Sequence, residues 1–216
     1  KLDDKIIGST AIILVGLSYG DKYYLKFGID LLKKILSFSL DGSNFPKSRN
    51  LRQLVFYLKY LIVVRELLKE SQTNIPDFLD EKIFYLGKSY NLLFTNTKNG
   101  VLFNGNFDEP NKEFSEYLNF WKYKFKDDTN EAGGYIALKN KKSLLVIDIG
   151  KAPDRKFSKD YQAGLFSFEF SFLGEKVITN SGYFQDYKHQ LNIISKSTAT
   201  HSTLILNNTS TAKFER

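Results

Sequence analysis

Two stretches of this 216-residue chain concentrate side chains suited to chemistry. The first is Leu40-Asp41-Gly42-Ser43-Asn44-Phe45-Pro46-Lys47-Ser48-Arg49-Asn50, a link between two helix-like segments that carries an amide, Asn44, and two cations, Lys47 and Arg49. Such a link sets polar and charged groups at the mouth of a helical array. It also reads as a plain connection, with Ser48 capping the next helix and Asn44 in a turn. The second stretch runs from Lys188-His189-Gln190 to Lys196-Ser197-Thr198-Ala199-Thr200-His201-Ser202-Thr203-Leu204-Ile205-Leu206. Here His201 immediately precedes an alternating run expected to be a strand. An imidazole at a sheet edge can act as acid or base near neutral pH, or serve as a structural hydrogen-bonder.

Other chemistries lose support. The only histidines, His189 and His201, are too far apart for a helical metal pair, and there is no cysteine, so zinc would need carboxylates brought together by the fold. No metal site and no cofactor is expected. No Walker loop, no G-x-G-x-x-G after a strand and no G-x-S-x-G elbow is present.

These residues need elements to hold them, and the pattern changes near residue 130. Up to about residue 97 the periodicity is helical. Leu25, Ile29, Leu32, Ile35 and Leu36 stripe residues 21 to 38, and residues 51 to 68 are apolar on nearly every face. A third helix opens at Asn74-Ile75-Pro76, with Asp77, Asp80 and Glu81 complementing its dipole and Leu79, Ile83, Leu86, Tyr90 and Leu93 as its core stripe. Short polar links make these helices antiparallel neighbours. Residues 105 to 132 form a polar connection containing Pro110 and a short helix around 114 to 120. Beyond it the period becomes two: Phe166, Phe168, Phe170 and Phe172 are expected on one face, with Ser167, Glu169 and Ser171 on the other. Residues 144 to 149 predict a mostly buried strand, Gly174-Glu175 a turn into Val177-Ile178-Thr179, and residues 203 to 206 a further strand.

Composition adds bounds. Hydrophobic residues at 42% and charged residues at 25% exclude wholesale disorder. The net charge of +7 and pI near 9.3 suit an anionic partner. Lysines spread among acidic residues along the whole chain do not form the single stripe typical of nucleic-acid binders, and no nucleic acid is expected as partner. The longest apolar runs fall far short of a membrane span. Without cysteine there are no disulfides. A chain that begins at Lys1, contains no methionine and opens directly into helix is expected to be an internal fragment.

The run from Lys196 to Leu206 resembles the Arg-Ser-Thr-Ala-x-His-Asn/Ser-Thr signature of heparinase II/III-like proteins. Ala163-Gly164-Leu165-Phe166-Ser167-Phe168-Glu169 is similar to the strand that precedes it in that family. Asp41-Gly42, Lys47-Ser48-Arg49-Asn50 and Leu102-Phe103-Asn104-Gly105 are similar to the helical part of its bacterial members. The resemblance implies an α+β multidomain chain: the C-terminal part of an (α/α) toroid over residues 1–105, a linker over 106–132, and the beginning of an antiparallel β-sandwich over 133–216. It also implies a polysaccharide lyase cleaving uronic-acid-containing glycans by β-elimination, in the periplasm or cell envelope, with an acidic polysaccharide as partner. Such a reaction neutralises the uronate carboxylate, removes the C5 proton and protonates the leaving oxygen. Carried over, His201 is the sandwich histidine entering the cleft. Asn44 lies in the loop facing the uronate, and Arg49, Lys47 and Lys196 are its cationic contacts. Tyr90 is the candidate catalytic tyrosine, although it also continues the Leu86/Leu93 core stripe. Ser202 and Thr203 stand where zinc-bearing relatives have a second histidine, so a structural zinc is not expected. A non-catalytic glycan-binding or envelope-assembly protein of the same architecture is the alternative.

Overall fold

The computed structural model describes residues 2–95, 99–109, 112–126 and 128–212. Pro110 of the expected linker and the last residues, from Lys213 on, lie outside the described residues. Five helices come first: α1 Leu2–Ser18, α2 Lys22–Ser39, α3 Leu51–Glu70, α4 Asp77–Phe94 and α5 Lys112–Phe120. A sheet follows, built from β1 Glu131–Ala132, β2 Tyr135–Lys139, β3 Ser143–Asp148, β4 Phe168–Phe172 and β5 Glu175–Ile178, and α6 Gln190–Lys196 comes after it.

The chain divides into two compact units, Lys1–Pro46 with Gln53–Gly87, and Lys47–Arg52 with Lys88–Arg216. The helical region expected over residues 1–105 is therefore shared between them. The change of periodicity marks where helices give way to strands, whereas packing assigns the end of α4 and the buried Val101, Leu102 and Phe103 to the unit that holds the sheet.

In the first unit, Asp21 caps α2 by accepting from Tyr23 N at 2.8 Å and Tyr24 N at 3.1 Å. α1 and α2 approach closely because Gly16 and Gly28 lack side chains: a Cβ on Gly16 would lie 2.5 Å from Leu25 N, and one on Gly28 2.7 Å from Ile13 Cγ1. The α3 side chains Leu54, Tyr57, Leu58, Leu61, Ile62 and Leu68 are fully buried, as an all-round apolar helix requires. Its N-cap is Asn50, whose Oδ1 accepts Arg52 N at 2.8 Å. Ser48, expected as the cap, instead accepts Asn50 N at 3.1 Å, because the helix begins two residues further on.

The second unit holds the antiparallel sheet in sequential order, β1-β2-β3-β4-β5. β3 forms where a mostly buried strand is expected, but it alternates: Leu144, Val146 and Asp148 are buried, whereas Leu145 and Ile147 are only half-buried. On β4 the rings and the polar groups take opposite faces as expected, and it is the polar face that is covered: Glu169 and Ser171 are buried, while Phe168, Phe170 and Phe172 point to the half-exposed side. There Phe170 pairs with Leu145, and Leu145 with Leu138; Phe168 pairs with Ile147, and Ile147 with Ile136, which makes two apolar rows across three strands. The inward polar side chain is explained by its partners. Glu169 accepts Thr179 Oγ1 at 2.7 Å, Asn180 N at 2.9 Å and Leu102 N at 3.0 Å. Phe166 falls outside the ladder, with a left-handed φ of 59°. The strand expected at residues 203 to 206 does not form. Only Leu206 bridges, to Thr209, because Asn207 and Asn208 turn the chain back with φ of 50° and 53°.

Candidate functional site

Arg49 organises the polar interior of the second unit. Its backbone is left-handed, at φ 55°, and its guanidinium lies 4.5 Å from the centre of the Tyr135 ring. Nε donates to Gly133 O at 2.9 Å. Nη1 donates to Asp148 Oδ2 at 3.3 Å and to Gly150 O at 3.2 Å, and Nη2 to Asp148 Oδ1 at 2.6 Å and to Gly134 O at 3.3 Å. Every N–H of the fork is thus engaged. Gly150 makes room for it, since a Cβ there would lie 2.3 Å from the guanidinium carbon. The network continues outward. Asn104 Nδ2 donates to Tyr135 Oη and Asp148 Oδ2, Tyr135 Oη donates to Arg49 O, and Gln162 N donates to Asn104 Oδ1. The Gln162 amide donates to Gly182 O and Ser195 O and accepts from Gly105 N. Burial works against the Arg49 charge, but Tyr135 and Asp148 outweigh it and hold the group protonated. Burial pushes the Asp148 carboxyl up, against the pull of Arg49. In this arrangement the guanidinium that the sequence assigned to substrate has all its donors on internal partners.

His201 stands elsewhere in the same unit. Its N–H donates to Thr198 O at 3.0 Å, and its carbonyl accepts Thr203 N at 2.9 Å. The ring lies against Gly164: a Cβ on that residue would be 3.2 Å from His201 Cγ, 3.4 Å from Nδ1 and 2.9 Å from Ser167 Oγ. Both ring nitrogens are buried without a protein hydrogen-bond partner, as are Ser167 Oγ and Asn180 Nδ2. Asn180 reaches the same turn by accepting Ser202 N at 2.9 Å. Burial lowers the His201 pKa to about 4, so the ring is neutral at pH 7. A neutral imidazole can take a proton, and an imidazolium of depressed pKa returns it readily.

Comparison with known proteins places this geometry. Residues 127–216 match the family described as heparinase II/III-like, C-terminal. This part of the chain is similar to that family. Among solved structures, the chain resembles a heparinase III gene product with a TM-score of 0.84 and 14% identity, covering 95% of this chain and 37% of that one. Heparan sulfate lyase HepC from Pedobacter heparinus gives a TM-score of 0.79 at 13% identity, with 95% and 37% covered. A further heparinase III gives 0.74 at 14%, with 95% and 39% covered. The chain therefore spans little more than a third of the structures it resembles, and at these identities the likeness is one of fold. A search of the curated proteins found no match.

His201, Ser167, Asn180 and Lys196 all lie within the heparinase II/III-like residues, while the other sequence-selected residues lie outside them. Asn44, in the first unit, has a left-handed φ of 64°, accepts Lys82 Nζ at 2.6 Å and donates to Glu81 Oε1 at 3.3 Å. Tyr90 is a core residue, 3% exposed, stacked on Phe94 at 5.2 Å and edge-on to Phe114 at 5.1 Å. It thus continues the Leu86/Leu93 core stripe that the sequence also offered for it. Lys47 Nζ lies 5.9 Å from the centre of the Phe157 ring, and Lys196 Nζ donates to Lys159 O at 2.8 Å. His189 caps α6 through Nδ1, which accepts Leu191 N at 3.1 Å. Among the described residues no cluster of His, Asp or Glu could hold a metal ion. Sequence reasoning missed Asp148, Gln162 and Asn180. Asn104, Ser167 and Glu169 stood in quoted motifs, but with no role attached.

Proposed function

We propose that the chain contributes the proton-transferring histidine of a polysaccharide lyase that cleaves uronic-acid-containing glycans by β-elimination. The observation that carries this proposal is the His201 ring. It is neutral at rest, unbonded at both nitrogens, flanked by the unpartnered Ser167 hydroxyl, and set in the heparinase II/III-like residues. His201 takes the C5 proton, the C5–H electron pair forms the C4–C5 double bond, and the bond from C4 to the glycosidic oxygen breaks. Return of the proton from the imidazolium to that oxygen restores the neutral ring. Asn44 remains the amide assigned to the uronate carboxylate, and would exchange its Lys82 and Glu81 bonds for it. Lys47 and Lys196 supply cations for the same anionic polymer. The periplasm or cell envelope is the proposed compartment, checked by cell fractionation.

The test is absorbance of unsaturated uronate product when the full-length protein meets uronate polysaccharides. His201→Ala is expected to lower turnover by about 10²-fold or more while circular dichroism stays unchanged. Unaltered product formation in that variant would remove His201 from the reaction. A non-catalytic glycan-binding or envelope-assembly protein is the second reading, favoured by the commitment of Arg49 and Tyr90 to internal contacts. Polysaccharide binding with no product from the wild-type protein selects it.

A further inference from the structure

One surface of the second unit gathers lysines around a single exposed ring. Tyr187 is 66% exposed, and the Lys159 and Lys188 ammoniums lie 5.5 and 6.0 Å from the centre of its ring. Lys196, at the end of α6, joins them through its 2.8 Å bond to the Lys159 carbonyl and lies 5.7 Å from the centre of the Tyr183 ring. The segment that presents Lys159 is held by its own turns, Phe157 N donating to Asp154 O, Ser158 N to Arg155 O and Tyr161 N to Ser158 O.

The neighbouring carboxylates are occupied by neutral donors. Asp160 accepts Tyr183 Oη at 3.0 Å and Asn50 Nδ2 at 3.2 Å, and Asp186 accepts Lys188 N at 3.0 Å. Among the described residues, the ammoniums of Lys159, Lys188 and Lys196 have no carboxylate within ion-pair distance. Burial lowers the proton affinity of Lys196; Asp160 opposes that, and the Lys159 charge adds to it to a lesser degree. An anion placed among the three ammoniums is attracted by each of them.

We propose that Lys159, Tyr187, Lys188 and Lys196 form a binding site for an acidic polysaccharide. The exposed ring offers a flat apolar face to the C–H face of a sugar. Each of the two ammoniums lies within about 6 Å of the centre of that ring, within reach of carboxylate or sulfate groups on a sugar packed beside it. A ligand carrying apolar and anionic groups within one small unit matches this spacing. A bilayer, which separates its headgroups from its chains, matches it less well, although the exposed Leu191, Ile193 and Ile194 of α6 make vesicles the competing partner to test. The choice of a uronate polymer as ligand rests on the lyase proposal; the site itself does not require turnover.

The experiment measures binding of the full-length protein to polygalacturonate, to dextran sulfate, to neutral dextran and to phosphatidylglycerol vesicles. Binding to at least one of the two acidic polymers, weakening as salt rises, and none to neutral dextran is expected. Lys159→Gln with Lys188→Gln should weaken that binding roughly tenfold, on the scale of two exposed ion pairs. Tyr187→Ala should weaken it several-fold, and Tyr187→Phe should restore it. Unchanged affinity in the double variant, equal binding to neutral dextran, or binding to vesicles alone overturns the site. A wild-type protein that binds an acidic polymer through these residues but forms no product leaves the site standing and removes the lyase. A protein that forms product while the double variant binds as tightly as wild type does the reverse.

Discussion

Arg49 and Asp148 are bound end to end, Nη2 to Oδ1 at 2.6 Å and Nη1 to Oδ2 at 3.3 Å, with both side chains buried and 99 residues apart in sequence. The pair ties the segment ahead of α3 to the end of β3. Removing one partner of such a pair leaves an uncompensated buried charge. Arg49→Ala is therefore expected to cost about 3–5 kcal/mol in urea unfolding. Arg49→Lys should recover little, since an ammonium cannot reproduce the fork that also reaches Gly133 O, Gly134 O and Gly150 O. A loss under about 1 kcal/mol in either variant would show the pair to be ornamental.

The pH dependence of stability should carry a His201 signature. Its folded pKa near 4 lies below the ordinary value of 6.5, so between these the unfolded chain binds more protons. The His201 contribution is complete above pH 6.5 and is lost as pH falls toward 4, by up to about 3 kcal/mol. With two histidines in the chain, an NMR titration separates the rings. A His201 resonance titrating at 6.5 or above contradicts the buried neutral ring.

Gly164→Ala tests whether His201 must stand where it does. The added methyl would meet Ser167 Oγ at 2.9 Å and His201 Cγ at 3.2 Å, so the hydroxyl must move and the ring must give by a few tenths of an ångström. The expected results are displaced His201 ring resonances, turnover reduced by about 10²-fold, and a modest stability loss of about 1–3 kcal/mol. Unmoved resonances would show that the pocket yields elsewhere.

Tyr90 separates core from catalyst. Tyr90→Phe keeps the ring that packs on Phe94 and Phe114, so stability should change by less than about 1 kcal/mol and turnover should not change. Tyr90→Ala should cost about 3–5 kcal/mol. A 10²-fold fall in turnover for Tyr90→Phe alone would return the hydroxyl to the mechanism.

Local periodicity carried most of the element assignments. The α2 and α4 stripes, the all-round apolar α3 and the apolar run of β3 are each set by which side chains must leave water, and that can be read within a dozen residues. The motif around His201 is likewise a property of consecutive residues and is legible in the chain alone. What sequence could not decide is which partner a polar side chain finds across a long separation. Arg49 was assigned to substrate through the resemblance of its loop, and Asp148, 99 residues away, reaches it only through the fold. The β4 alternation was legible in period but not in which face is covered: Glu169 is drawn inward by Leu102 N, Thr179 Oγ1 and Asn180 N. Alternation alone cannot say which side of a sheet is covered. Residues 203 to 206 had strand-like composition, but Asn207 and Asn208 turn the chain before a ladder can form. Sequence by itself determined the elements and the histidine, through local hydrophobic pattern and motif. Tertiary structure decided which polar groups are tied up and which, like His201, are left unbonded, because that depends on donors and acceptors that only folding brings within hydrogen-bond distance.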